Sequence, residues 1–386
     1  MSVRVGAGEC DALWNRVLSR QGLHPKTRLG SWHEVSEAGL GIHAARLPTP
    51  AATVAARCED SSAVRTVVGR TDASTATTIR CMRRTLHLLP VHLAVPAHRA
   101  TLGYRERDAL RLAVRAGADA ADLARAEDQL TQVLANKPMT PRAIETALAG
   151  RGTAVPMARA ALKLAWERGT ITCLNVSRRW NREVRVFALT EAACPGLLVP
   201  MDRDEAVRVL VEAYFDRYGP ATVADAVWWS GLPRRDVLAA MDAAPYRWVR
   251  LATGWAASAA FLPEARYEEH LTVASPGAAG VCLLAHEDVA LKAYFETRSR
   301  YLDRVPAGAV FNAIGEVLPT VLLDGRVVGL WQWHQRQGSV QWTALSDVLR
   351  ARIDAAAERL THLLRPGWDP PPGAGQADPG QLALAI

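Results

Sequence analysis

The stretch TPRAIETALAGRGTAVPMARAALKLAWERGTITCLNVSRRWNREVRVFAL, Thr140 to Leu189, decides the fold. Thr140 can cap a helix with Pro141 at its first position, which predicts a helix over Pro141–Ala149 with Ile144 and Leu148 on one face. Gly150-Arg151-Gly152 is a turn. A second helix follows over Val155–Arg168, with Ala158, Ala161, Leu162 and Ala165 inward at i, i+3, i+4, i+7 spacing and Gly169 as its stop. Ile171–Leu189 alternates apolar and polar residues around the tip Arg178-Arg179-Trp180-Asn181, a β-hairpin signal. Helix, turn, helix, hairpin is the order of a winged helix, whose second helix enters the major groove of DNA and whose hairpin touches the flanking backbone. Arg159, Lys163 and Arg168 fall on the second helix; Arg178, Arg179, Arg182 and Arg185 fall on or beside the wing tip. These side chains are candidate DNA contacts.

The pattern recurs downstream. Asp204–Tyr218 is amphipathic, Val223–Ser230 and Leu232–Ala243 are two further helices, and Trp248–Leu251 with Ala260–Leu262 can form a small hairpin. The near-balanced charge of this second unit suits packing more than DNA reading. Upstream, residues 104–135 look helical and close at Asn136-Lys137-Pro138. Val317–Leu323, Val327–Trp333 and Val340–Thr343 read as strands of a small antiparallel sheet or partial barrel. On one of them Trp331 and Trp333 share a face, which suits a core more than a base-stacking platform. Residues 366–380 are rich in Pro and Gly and read as a disordered extension. The expected class is α+β, tandem winged-helix domains with a C-terminal small β-barrel-like domain. Its divisions are 1–135, 136–200, 201–270, 271–365 and a tail at 366–386.

The chain has 386 residues and a formal charge of +7, and the excess is unevenly placed. Residues 1–120 carry +7 and residues 137–190 another +7, offset by −2 over 121–136 and −5 over 191–386. Clustered positive charge in the first half points to a polyanionic partner; an Arg-rich proteome is the bland alternative. Six scattered cysteines without a CxxC read as reduced thiols, and no zinc-ligand spacing appears among the cysteines and ten histidines. No signal peptide and no apolar run long enough for a membrane span is visible, so a soluble cytoplasmic protein without metal or cofactor is expected. No coiled coil is evident, which favours a monomer.

Three further stretches carry a resemblance. They are Gly39-Leu40-Gly41-Ile42-His43-Ala44-Ala45-Arg46 with Cys81-Met82-Arg83-Arg84-Thr85-Leu86-His87-Leu88-Leu89-Pro90; Tyr218-Gly219-Pro220-Ala221-Thr222 with Trp229-Ser230-Gly231-Leu232; and Val317 to Gly329. In order and spacing they resemble the AlkZ/YcaQ-like winged-helix DNA glycosylases. The resemblance implies a concave basic surface for duplex DNA and excision of bulky, cationic N7-alkylated purines, in some producers as self-resistance to a DNA-alkylating natural product. A cationic base leaves without protonation, so the protein must mainly position and polarise a water and stabilise an oxocarbenium-like state. The family uses Gln-apolar-Gln or Gln-apolar-Asp for this. Here His43 falls at the first position, and an imidazole can orient or deprotonate water near neutral pH. Ala45 falls at the second position and offers no side-chain hydrogen bond. Two readings therefore stand: hydrolysis with His43 as the catalytic residue, or a damage sensor or regulator that binds DNA without cutting. Arg83, Arg84 and Thr85 resemble a phosphate clamp. Arg46 is a candidate backbone contact, and His87 suits a core role or a DNA-facing role equally.

Overall fold

In the computed structural model, which describes residues 2–69, 74–115, 117–177, 179–346 and 350–368, the local signals around Thr140 act as caps. The Thr140 hydroxyl accepts from the Ala143 amide, and Pro141 opens the helix Pro141–Ala149. The helix Val155–Arg168 ends on Gly169 at φ +81°, where a Cβ would lie 3.0 Å from the His98 ring. The wing strands Ile171–Asn175 and Arg185–Leu189 pair in register from Ile171↔Leu189 to Asn175↔Arg185. Leu130, Ile144, Leu148, Leu162 and Phe187 close a core between the hairpin and its helices. The segment read as helical over 104–135 is the end of one helix, Val91–Arg115, and a second, Ala120–Leu134, which the Asp119 side chain caps.

The wing is not a separate ribbon. Its first strand pairs with Ala76–Arg80 through Thr78↔Cys173, which places it in a five-stranded antiparallel sheet. The strand order is Ile42–His43, Leu86–Pro90, Ala76–Arg80, Ile171–Asn175, Arg185–Leu189. The second helix-turn-helix-hairpin also forms, as Arg203–Tyr218, Val223–Ser230, Arg234–Asp242 and the hairpin Trp248–Ala252/Ala260–Pro263. A reciprocal capping box between Thr222 and Asp225 starts its middle helix. The N-terminal strand Ser2–Arg4 adds in parallel to the edge of this hairpin.

The C-terminal region corrects the barrel expectation: among the described residues none of the sheets closes. Ser339–Ala344, Arg326–His334, Thr320–Leu323 and Val281–Leu284 form an open four-stranded antiparallel sheet with two free edges. Four strands are too few to close around a filled interior. The sheet instead buries its apolar residues with the helix Arg350–Leu364, through Ile353, Ala357 and Leu360, and with Val54, Ala55 and Ile42 from the first sixty residues. Trp331 is buried and donates from its indole to the Leu284 carbonyl at 2.7 Å. Trp333 packs edge-on against Trp180 and Trp368, with centroids 5.0 and 5.7 Å away. Of the expected tail 366–386, residues 366–368 lie against this assembly, and the remainder falls outside the described residues.

Candidate DNA-facing site

Two of the resembling stretches, about forty residues apart in sequence, are neighbouring strands. Ile42 pairs with Leu88 and His43 with His87, so the two imidazoles face each other across the pair. Their ring centres are 5.6 Å apart and nearly perpendicular. Gly41 makes the turn into His43 at φ +100°, and a Cβ there would sit 2.9 Å from a Leu89 methyl, so only glycine fits. The other stretches converge on the same place. The Tyr218 hydroxyl donates to the Gly39 carbonyl at 2.6 Å, and the Tyr104 hydroxyl reaches the carbonyls of Cys81 and Ser230.

His43 is 1% exposed, and neither of its ring nitrogens has a hydrogen-bond partner among the described residues. His87 is equally buried, with Nδ1 3.3 Å from the Thr85 carbonyl and 3.5 Å from the Cys81 thiol. Burial, then the nearby Lys292 ammonium, pushes both imidazoles well below their usual 6.5, so both are neutral.

Lys292 was not singled out from the sequence. It is buried beside the two histidines, and its ammonium donates to Thr85 Oγ1 at 2.9 Å and to Glu287 at 3.1 Å. Glu287 is buried too, accepts from the Val317 amide at 2.8 Å, and lies 3.9 Å from Arg83. Burial alone would raise the Glu287 carboxyl, but Lys292, the Val317 amide and Arg83 outweigh it and hold the group ionised. The backbone is strained here. Arg83, Arg84 and Glu287 are non-glycine residues at φ +52°, +63° and +53°, and Leu40, three residues before His43, is at +46°. Such strain persists where surrounding structure enforces it, and it concentrates at functional sites.

Around this buried group runs a polar and aromatic rim. Ala45 is exposed, and Arg46, half-exposed, pairs with Glu316 at 2.9 Å, which also faces His286 at 3.4 Å. Arg83 lies over the Trp228 indole, 3.9 Å from its centroid. Arg84 pairs with Asp108 and lies over Tyr104.

The basic winged helix is placed differently. Arg159 pairs with Glu145 at 2.8 Å, Lys163 with Glu167 at 3.1 Å, Arg168 with Glu106 and Glu127, and Arg185 with Glu183. A local excess of charge along the chain is thus matched in space by acids, two of them from the helices upstream. The Val155–Arg168 helix is covered by the helices before it, which leaves only its first turns, Arg159 and Arg168 exposed. The wing tip is docked as well. Trp180 is buried, its indole donates to the Leu364 carbonyl at 2.7 Å, and Arg179 reaches the Trp368 carbonyl at 3.3 Å. Arg182 is exposed near the tip, and Arg178 lies outside the described residues. The sheet residues Ala44, Thr78, Leu88 and Cys173 and the wing residues Asn175, Trp180 and Glu183 line a cleft of about 70 Å³.

The structure therefore gathers His43, Arg46, Arg83, Thr85 and His87 into one place, and leaves Arg159, Lys163, Arg179 and Arg182 on the winged helix beyond. It adds Glu287, Lys292, His286 and Glu316. One signal for these was available: Lys292 interrupts the apolar run Val289-Ala290-Leu291-Lys292-Ala293-Tyr294, directly after the polar triplet His286-Glu287-Asp288. Among the described residues no His, Cys, Asp and Glu group has the arrangement of a metal site, and no helix is long and apolar enough to cross a membrane.

Comparison with known proteins identifies the fold and the family. Curated protein sequences yield no match. The DNA glycosylase AlkZ of Streptomyces sahachiroi has a similar structure, with a TM-score of 0.75 over 96% of this chain and 99% of that one, at 20% identity. That likeness shows a shared fold. The family model for AlkZ-like DNA glycosylases matches residues 37–363, from just before the His43 strand to the end of the C-terminal helix, and the chain belongs to the AlkZ-like family.

Proposed function

We propose that the protein is a monofunctional DNA glycosylase that hydrolyses the N-glycosidic bond of bulky, cationic N7-alkylated purines in duplex DNA. The observation that carries this reading is His43: a buried, neutral imidazole with both nitrogens unpartnered, at the position where the family places its first water-handling residue. Because His43 is almost fully covered, it acts on a water rather than on the DNA itself. The bond between C1′ and the purine nitrogen breaks, and its electron pair neutralises the cationic base. The water oxygen bonds to C1′, and its proton passes to His43. Thr85 and Lys292 fix the strand beside His43, while Arg83 and Arg46 provide donors for the phosphates of the damaged strand. Excision of such adducts would give a producer of a DNA-alkylating natural product resistance to its own compound.

Ala45 favours a second reading, a damage sensor or regulator that binds without cutting, because its exposed side chain cannot hold a water. Product chemistry separates the two. Duplex DNA carrying an N7-alkylguanine, incubated with excess protein, should release free modified base and leave heat-labile abasic sites. Tight binding without release across small and bulky adducts would leave only the sensor.

A further inference from the structure

Trp331 and Trp333, which share a face suited to a core, do pack into the C-terminal core. The exposed ring next to the His43 site belongs to Phe295, which is 50% exposed. It stacks on Trp228 at 4.9 Å and 27°, and Trp228 in turn carries Arg83 at 3.9 Å, the arginine that contacts Glu287. The buried site and the open ring are thus joined by an Arg–Trp–Phe ladder. Arg298 flanks it, 5.1 Å from the Phe295 centroid and 5.2 Å from that of Trp228. Ile314, 72% exposed, projects from a loop whose Gly315 approaches the Trp228 edge.

The ring is held on a rigid base. One oxygen of the buried Asp225 carboxylate accepts from the amides of Phe295, Glu296 and Thr297 at 2.7, 2.7 and 3.3 Å, and the other accepts from the Thr297 hydroxyl. So constrained a backbone holds the ring in one pose, which lowers the ordering cost when a flat partner meets it. A protein interface would need roughly 800 Å² per partner, and here the exposed apolar surface is one ring and one aliphatic tip. The Arg298 guanidinium beside that ring, with Arg83 on the Trp228 indole that stacks against it, matches a partner that is aromatic and anionic at once. Of the two carboxylates nearest Phe295, Asp225 is buried under its backbone, and Glu296 accepts through Oε1 from the Ser258 hydroxyl.

We propose that Phe295 is a stacking platform for a DNA base displaced from the duplex beside the reacting nucleotide, with Arg298 and Arg83 on the adjoining phosphates. This rests on the DNA glycosylase reading above. Stacking on an aromatic side chain tolerates any base, because every base has a π-face, so the subsite sets local DNA geometry rather than sequence.

The test uses the full-length protein and a duplex containing a tetrahydrofuran abasic analogue flanked by 2-aminopurine, whose fluorescence rises when it leaves the stack. Wild type should bind and raise the emission. Phe295→Ala and Phe295→Leu should lose that rise and bind about tenfold more weakly, whereas Phe295→Trp should restore both. Leu keeps the apolar volume and lacks the ring, so it separates stacking from hydrophobic contact. Binding without any rise in wild type, or a full rise in Phe295→Ala or Phe295→Leu, would overturn the platform and leave the glycosylase reading standing. Failure to bind duplex DNA at all would overturn both.

Discussion

Mild acid should destabilise this fold, and His43 should account for a definable share of the loss. His43 and His87 are held neutral well below 6.5 by burial and the neighbouring cation, and burial lowers His98 to about 3. In the unfolded chain each imidazole takes up a proton as the pH falls through about 6.5, whereas the native protein takes up none at these positions. Stability is therefore full above that pH and declines below it, by about 1.4 kcal/mol per pH unit for each such histidine. From pH 7 to pH 5 each contributes a loss of about 1.9 kcal/mol, and the three together about 6 kcal/mol, against total stabilities of about 5–15 kcal/mol for a domain. His270 and His286 shift in the same direction from more exposed positions, so the informative quantity is a difference between variants. His43→Gln keeps a neutral hydrogen-bonding side chain and removes one titration. Urea unfolding of both proteins at half-unit intervals from pH 7 to pH 5 should give His43→Gln a slope shallower by about 1.4 kcal/mol per unit below pH 6. Equal slopes would show that His43 is already protonated in the native state, and the argument that it is a neutral, water-handling base would fail.

The remaining predictions concern the network, the wing and the DNA. Lys292→Met leaves the buried Glu287 with the Val317 amide and the more distant Arg83, and should cost about 3–5 kcal/mol; Lys292→Met/Glu287→Gln should recover part of that in urea unfolding, and additive losses would mean the pair is uncoupled. Trp180→Ala removes the ring that docks the wing under Leu364 and should cost about 3–5 kcal/mol. It should also open residues 176–184 to limited proteolysis, and an unchanged melting temperature would refute the docking. Duplex affinity should fall at least about tenfold between 50 and 200 mM salt, as two phosphate contacts suffice for that; a salt-independent affinity would rule out Arg83 and Arg298 as phosphate donors.

What was legible in the sequence was local. Thr140, Pro141 and Gly169 each announce a helix end, and the helix-turn-helix-hairpin unit ending at Leu189 follows from such signals. His43 and His87 were reachable because a motif linked their stretches before the strand pairing was known. The open C-terminal sheet was not, because strand signals do not reveal what covers a sheet, and here the cover is the Arg350–Leu364 helix and residues near Val54. Lys292 was hidden for the same reason: its partner Thr85 lies 207 positions away. A charge count along 137–190 does not include the acids that meet it in space: Glu106 and Glu127, which pair with Arg168, lie outside that block.

The central claim is that His43 performs the water chemistry at a site that binds damaged DNA independently of it. Single-turnover excision from an N7-alkylguanine duplex, measured beside the Kd for the same DNA, tests that claim most directly for wild type and His43→Ala. Wild type should release the base, His43→Ala should lose about 100-fold or more of that release, and the Kd should change by no more than about twofold, since base removal and phosphate binding use different side chains. Undiminished release by His43→Ala, or a wild type that binds tightly and releases nothing, would contradict it.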